Sequence, residues 1–482
     1  MKYALIVESS LAMNKRIMIV AIIVSLLSGC MVGPKYHRPA AEPPNVFRGG
    51  ADPAPPADPA SLADLKWFEV FRDERLQELI RAALAHYFDL RQAIARVSAA
   101  RANLGITRSD QFPNITASGE MTSLRNSSSG QIPLPAGVDR DRSFGTVLLN
   151  LLSFEVDIWG RLRRATEAAR ADLLSAEETR TAVITTLVGE VASAYFNLIE
   201  LDLELEIAER TLATRQESLR LIRVRQQGGV ATMLDVRQAE QLVYGAAQTI
   251  PDIERLIEQT ENQISLLLGR NPGEVARGRG LTEQEQPPSV PPGLPSSLLE
   301  RRPDIRAAEQ NLVAATAIIG VAKAAYFPRI SLTGFAGFQS SQLSNIFTDR
   351  GNYWTFAPRG TQPIFTAGRI KSNVRLTEAQ QQLALAQYEQ AIRTGFREVS
   401  DALVGYRKVK EIRAQQEPLV TTLKDRSRLA YMRYRGGVDT LLNALDADRD
   451  LFAAEVSLAR TRRDELLALV QLYKALGGGW QQ

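Results

Sequence analysis

Few side chains in this sequence could carry out covalent or metal chemistry. There is one cysteine, Cys30, and there are two histidines, His37 and His86. Catalysis by a nucleophile needs a base beside it, and zinc needs several Cys or His ligands at close spacing. A lone thiol and two distant histidines meet neither need, and no phosphate loop is present. The chain therefore reads as a non-enzyme with no metal and no cofactor. Cys30 reads as a residue to be modified. Lys15-Arg16 precedes an apolar run from Ile17 to Leu27 that is too short to span a bilayer. Leu27-Ser28-Gly29-Cys30 closes that run with small residues, as a cleaved secretory signal does.

This closing pattern resembles the bacterial lipobox, whose cysteine becomes residue one after cleavage and carries thioether lipid and palmitate. The rival reading is a plain signal peptide with an incidental cysteine. The following residue is Met31 rather than Asp, which favours delivery to the outer membrane. Met13 as the start would leave an n-region of ordinary length. Across all 482 residues, 58 basic and 54 acidic side chains give a net charge of +4 without a basic run, so nucleic acid is not an expected partner.

The elements around this anchor are organised by a stretch used twice. Arg225-Gln-Gln-Gly228-Gly229-Val230-Ala-Thr232-Met-Leu-Asp235 returns as Arg433-Tyr-Arg-Gly436-Gly437-Val438-Asp-Thr440-Leu-Leu-Asn443. Glycine reaches positive φ without a Cβ clash and suits the place just past a helix end. Thr232 with Asp235 three residues on reads as a capping box opening the next helix. Both stretches are expected to be tight tips of helical hairpins. Before the first tip, Ile184, Leu187, Val191, Ala194, Leu198, Leu201, Leu205, Ala208, Leu212, Leu219 and Ile222 keep a 3-4 spacing that only Arg215 breaks. The helix begins at Gly160-Arg161 and ends near Gln227, about 100 Å at 1.5 Å per residue. The returning helix is expected over 232–268, with Pro251 bending it or removing one bond.

A helical pattern over 73–107 precedes these hairpins. Alternating residues from Asn114 to Met121, and again from Phe144 to Ile158, read as strands. Phe327-Pro328 echoes Phe112-Pro113, and Gly368-Arg369 echoes Gly160-Arg161, so strands and hairpin are expected to repeat. Strands of about ten residues cross a bilayer when tilted. Four strands leave two edges that lipid does not tolerate, so either they form a small soluble sheet or several chains pool them into one barrel. Phe335, Phe338, Tyr353, Trp354 and Phe356 cluster as membrane-interface aromatics do, with packing in a sheet core as the alternative.

Cys30-Met-Val-Gly33-Pro34, Phe154-Glu155-Val-Asp157-Ile-Trp159-Gly160-Arg161, Arg302-Pro303-Asp304-Ile-Arg306, Phe327-Pro328-Arg-Ile330 and Pro363-Ile364-Phe365 together resemble the TolC-type outer-membrane factors. More narrowly they are similar to the NodT-like lipoprotein subgroup serving resistance–nodulation–division efflux pumps. The resemblance covers nearly all of the mature chain. It implies a mainly α fold with a membrane β-barrel portion. Duplicated strand pairs and long coiled-coil helical hairpins would form a twelve-stranded barrel and an α-helical tunnel in a homotrimer. The expected division is 1–29 signal peptide, 30–72 lipid-anchored tether, 73–270 first repeat, 271–300 linker and equatorial segment, 301–476 second repeat and 477–482 tail.

The implied function is a passive exit duct for small molecules such as drugs. They would be delivered by an inner-membrane resistance–nodulation–division pump through a periplasmic membrane-fusion adaptor, with outer-membrane lipid around the barrel. The alternatives are a type I protein-secretion duct and a non-channel periplasmic coiled-coil scaffold. Gly228, Gly229, Val230, Gly436, Gly437 and Val438 would be the adaptor-docking tips. The competing account gives the glycines a helix-ending role and packs each valine on the preceding turn. Aligned with the family pattern, Asp235, Tyr434, Asn443 and Asp446 fall at periplasmic gate positions. Asn443 stands where a second ring carboxylate can occur, and Asp439 where a basic partner can occur. Hydrogen bonds of Tyr434 and Asp235 would hold the gate, and three copies of Asp446 would form a lumen ring that binds cations; the plainer readings are a helix cap for Asp235 and a solvated polar face for Asp446.

Overall fold

Helices form where the 3-4 apolar spacing runs longest, and strands where it gives way to alternation. The computed structural model describes residues 31–40, 47, 62–127, 137, 139–285 and 297–479. Helices α1 (Trp67–Val70), α2 (Glu74–His86) and α3 (Phe88–Ser109) lead into β1 (Ile115–Arg125) and β2 (Asp141–Glu155). The first hairpin is α4 (Arg161–Gln227) with α5 (Met233–Leu267). Then α6 (Leu298–Arg301) and α7 (Pro303–Ala324) lead into β3 (Arg329–Ser340) and β4 (Asn352–Thr361). The second hairpin is α8 (Arg369–Arg435) with α9 (Leu441–Ala475). Both long helices have 67 residues and both returning helices have 35, so the duplication holds element by element. Among the described residues the fold is mainly helical with one antiparallel sheet.

The described residues separate into two compact units, one from those within 31–39, 98–175 and 308–387, the other from those within 40–97, 176–307 and 388–479. The first unit holds the sheet, an antiparallel meander in the order β1-β2-β3-β4. Among the described residues β1 and β4 are open edges. A bulge between Leu151 and Phe154 shifts the β2–β3 register. Where β2 and β3 pair, Gly337 lies so close that a Cβ there would come within 2.1 Å of the Val147 carbonyl oxygen. The clash is with backbone, which cannot swing aside. Gly337→Val should therefore lower stability by about 1–3 kcal/mol, the usual range for overpacking. Gly119→Val on β1, where a Cβ meets nothing within 4 Å, should leave it unchanged. Chemical denaturation of the detergent-solubilised protein checks both, and equal midpoints would remove the close-approach explanation.

In the same unit the residues after Cys30 are docked, whereas the sequence suggested a free tether. Val32 N–H donates to the Trp159 carbonyl at 3.1 Å, and Arg164, itself buried, donates to the carbonyls of Val32 and Gly33. A Cβ on Gly33 would sit 2.5 Å from the Gly320 Cα, so two glycines let this segment lie directly on α7. Further along, Tyr36 and Arg38 both donate to Glu309, each at 2.9 Å.

The second unit contains the main apolar core, in which Leu76, Ile80, Leu187, Val191, Tyr195, Leu198, Ile264 and Tyr473 are almost fully buried. Phe47, Leu62, Trp67 and Phe71 join it, so these parts of 30–72 also belong to the body. The described part of the expected linker is tied down too. Val275 and Leu281 are buried in the core, and Arg277 pairs with Asp202 at 3.0 Å and with Glu261. Asp73 caps α2 and accepts hydrogen bonds from Tyr195, Gln284 and the Arg279 N–H. Burial alone would raise its pKa, but these bonds and that from Leu76 hold it below the usual carboxylate value.

Two expected boundaries move. The helix expected over 73–107 is broken at Tyr87, which is extended at φ −61°, ψ 130°. Gly269, with φ +68° past the end of α5, packs at that corner, where a Cβ would come within 2.6 Å of the His86 carbonyl oxygen. The second strand stops at Glu155 rather than Ile158 because Asp157 turns to serve α4. Its carboxylate accepts the N–H groups of Leu162 and Arg163 at 3.1 and 2.9 Å, an anion where the helix dipole favours one.

Candidate functional site

The hairpin tips take their shape from local chain chemistry. At the end of α4, Val230 N–H donates to the Arg225 carbonyl at 2.9 Å and Gly229 N–H to that of Gln226 at 3.0 Å. With Gly229 at φ +77°, this is a Schellman ending. Thr232 then opens α5 with the expected capping box: Asp235 N–H donates to Thr232 Oγ1 at 3.2 Å, and Thr232 N–H to Asp235 Oδ2 at 2.7 Å. The second tip repeats the ending, with Val438 N–H to Arg433 and Gly437 N–H to Tyr434, both at 3.1 Å, and Gly437 at φ +72°.

The second tip opens its returning helix differently. Thr440 accepts no capping bond. Asp439, one residue earlier, accepts from Thr440 N–H at 2.8 Å, Asn443 Nδ2 at 2.7 Å and Arg433 Nε at 3.0 Å. These three donors, Arg433 first, hold its carboxyl well below the ordinary value. Asn443 is therefore engaged inside its own hairpin.

Val230 and Val438 stay 68% and 65% exposed, so neither folds back on the preceding turn as a Schellman valine often does. Above them the two hairpins share an apolar cluster. Leu219, Ile222, Val236, Ala239 and Val243 come from the first hairpin, and Tyr434, Leu441, Ala444 and Leu445 from the second. Tyr434 is buried there, with the Arg225 guanidinium 4.9 Å from its ring centre. Burial raises the phenol pKa, the Arg225 charge opposes this, and Asp235 adds to it.

The structure thus brings Tyr434 against the first hairpin; among the described residues its hydroxyl makes no hydrogen bond to Asp235, the other residue expected to hold the gate. Asp235 is occupied by Thr232, whose hydroxyl also donates to it at 2.8 Å. Asp446, half-buried, faces the exposed Arg449 at 3.3 Å. Sequence reasoning missed the role of Arg225. The available signal was an arginine three places before the glycine pair in both copies, Arg225 and Arg433. One reaches across to the other hairpin, while its counterpart binds its own Asp439. No group of three or more His, Cys, Asp or Glu placed to hold a metal occurs among the described residues. Cys30 lies outside them.

Comparison with known proteins bears on this arrangement of strands and tips. The profile described as "Outer membrane efflux protein" matches residues 79–270 and 294–478. The toluene efflux pump outer membrane protein TtgC of Pseudomonas putida is 38% identical over 478 residues, covering 98% of this chain and 97% of that protein. The open-state structure of the Neisseria gonorrhoeae MtrE outer membrane channel superposes with a TM-score of 0.84 at 32% identity, covering 94% of this chain and 99% of that one. The outer-membrane channel OprN gives 0.86 at 31% identity, covering 94% and 100%.

Proposed function

The chain belongs to the outer membrane efflux protein family, and from that membership we propose that three copies assemble into the outer-membrane duct of a tripartite pump. It is an efflux channel component, not an enzyme of any kind suggested by its residues. The duct is passive: small molecules are pushed into it by an inner-membrane resistance–nodulation–division transporter and a periplasmic adaptor. One observation carries this reading. A four-stranded meander with two open edges stands on the same chain as two 67-residue helices. Lipid does not tolerate open edges, and four strands are too few to close. Three chains give twelve strands, wide enough for a lumen.

The lipid anchor fits the docked segment. Met31 packs on Gly160, where a Cβ would come within 2.9 Å of the Met31 Cγ, beside the Trp159–Phe327 ring stack at the strand-to-helix junction. Acyl chains on Cys30 would then enter the bilayer next to interfacial aromatics. The two tips are the adaptor-docking end, and Asp235, Tyr434 and Asp446 belong to the gate just above them.

Deleting the protein should raise drug susceptibility and slow dye efflux in its host. The detergent-solubilised protein should have the native mass of a trimer, and a stable monomer would sink the shared barrel. The wild type should carry acyl mass on Cys30 that Cys30→Ser lacks; equal masses would remove the anchor.

A further inference from the structure

Toward the tips, the apolar seam between the hairpins is interrupted by a charged layer. On the strand side of α4, Leu198 and Ala208 belong to the main core; on the tip side, Leu219 and Ile222 belong to the separate tip cluster. Between them Arg215 on α4 and Asp448 on α9, only 5% and 7% exposed, are joined Nε to Oδ2 at 2.7 Å. Arg215 does not leave the heptad seam; it occupies it as half of an ion pair. Its Nη1 donates to the Leu242 carbonyl on α5 at 3.0 Å, and its guanidinium lies 5.2 Å from the ring centre of Phe452 on α9. Among the described residues its Nη2 is buried without a hydrogen-bond partner, and the Tyr431 side chain on α8 lies close to both charges of the pair. Every helix of both hairpins therefore brings a polar group to this layer or beside it.

The two kinds of contact resist motion differently. Apolar contacts are non-directional and can slide while little buried area changes. A buried ion pair cannot part without leaving both charges desolvated and unpaired, which is strongly destabilising. Such a layer fixes register, and by separating two apolar clusters it divides the seam into blocks that can move separately.

We propose that the Arg215–Asp448 pair is the fixed pivot on which the tip block turns when the duct opens, staying closed while the apolar cluster below it slides. The proposal rests on reading the tips as the gated end of an efflux duct. Arg215 precedes Gly228 by 13 residues, a lever of about 20 Å of helix. A turn of about 15° at the pair would carry the tip roughly 5 Å, an amplitude ordinary for switching proteins.

The test uses the full chain in a deletion strain, with dye efflux as the readout. Arg215→Cys with Asp448→Cys is joined by a short bifunctional methanethiosulfonate, and the joined fraction is measured by mass spectrometry. A pivot tolerates the tether, so efflux should be the same before and after joining. Efflux that falls in proportion to the joined fraction and returns with reductant would show that the two residues must separate, overturning the pivot. The second variant, Arg215→Leu with Asp448→Leu, merges the two apolar clusters. Its trimer should melt at a higher temperature while dye efflux is lost; a variant exporting like the wild type overturns the proposal without relying on the cysteines. A deletion strain that clears dye as fast as the parent would sink the efflux reading instead, and is scored separately.

Discussion

Gly228→Leu combined with Gly436→Leu should reduce drug export to the level of a deletion strain while leaving the trimer as stable as the wild type. The two glycines of each tip have different reasons to be there. Gly229 and Gly437 sit at φ +77° and +72°, where an L side chain costs roughly 1–2 kcal/mol. Replacing those two confounds backbone strain with any loss of docking. Gly228 and Gly436 have no positive φ, and a Cβ on either would meet only carbonyl oxygens of the preceding turn, at 3.6 Å for Gly228 and 3.4 Å or more for Gly436. Glycine in a helical position is less favourable than leucine by about 0.8 kcal/mol, so leucine should if anything help the fold.

Nothing inside the chain therefore asks for glycine at 228 and 436. An approaching helical hairpin of the adaptor would, because backbones come close only where side chains are absent. Val230 and Val438, exposed beside them, supply apolar area for such a partner. Native mass and melting of the purified double variant, set beside drug susceptibility of cells carrying it, separate the two effects. Wild-type susceptibility would show that the adaptor does not approach these tips. Gly229→Leu should also cut export, but with a lower melting temperature.

What the sequence made legible was local. A positive-φ glycine after a helix, a threonine three residues before an aspartate and a 3-4 apolar spacing each act within a few residues, so tips, hairpins and their duplication could be read directly. Contacts made across long separations could not. Arg215 looked like a fault in a heptad because its partner, Asp448, lies 233 residues away. Residues 31–38 have no periodicity and read as tether, yet Gly33 meets Gly320 and Tyr36 meets Glu309. Asp157 alternates properly for a strand, but two backbone N–H groups at the start of α4 claim it. Thr440 has the right type for an N-cap, and Asp439 takes that work because Arg433, Asn443 and Thr440 all donate to it. In each case the local preference was sound, and a partner not visible in the local sequence outweighed it.

Asp446→Ala should abolish block of the duct by multivalent cations from the periplasmic side, and Tyr434→Phe should make it open more often. The structure sorts the polar residues near the tips by how firmly each is held. Asp439 has three donors, Asn443 is one of them, and Asp235 is occupied by Thr232. Among the described residues Asp446, half-buried, has only the exposed Arg449 at 3.3 Å. Such surface pairs are worth about 0–1 kcal/mol, too little to fix the carboxylate. It is therefore the acid in this set most free to face a three-fold axis. Three carboxylates gathered there would repel one another and be relieved by a multivalent cation. Removing Asp446 should change the melting temperature little, so lost block with unchanged stability points to charge in the lumen.

Tyr434→Phe is the complementary case. The ring stays in the apolar cluster and under the Arg225 guanidinium, so packing is preserved and only the hydroxyl goes. Among the described residues that hydroxyl makes no hydrogen bond to Asp235. Loss of a closing bond made by that hydroxyl would raise open probability without unfolding the hairpin. Single-channel recording of both variants in planar bilayers, with hexamminecobalt added on the tip side, decides the matter. Wild-type block by the first and wild-type opening by the second would remove the gate from these residues, whereas a Tyr434→Phe duct that opens freely would show that the hydroxyl helps to hold it closed.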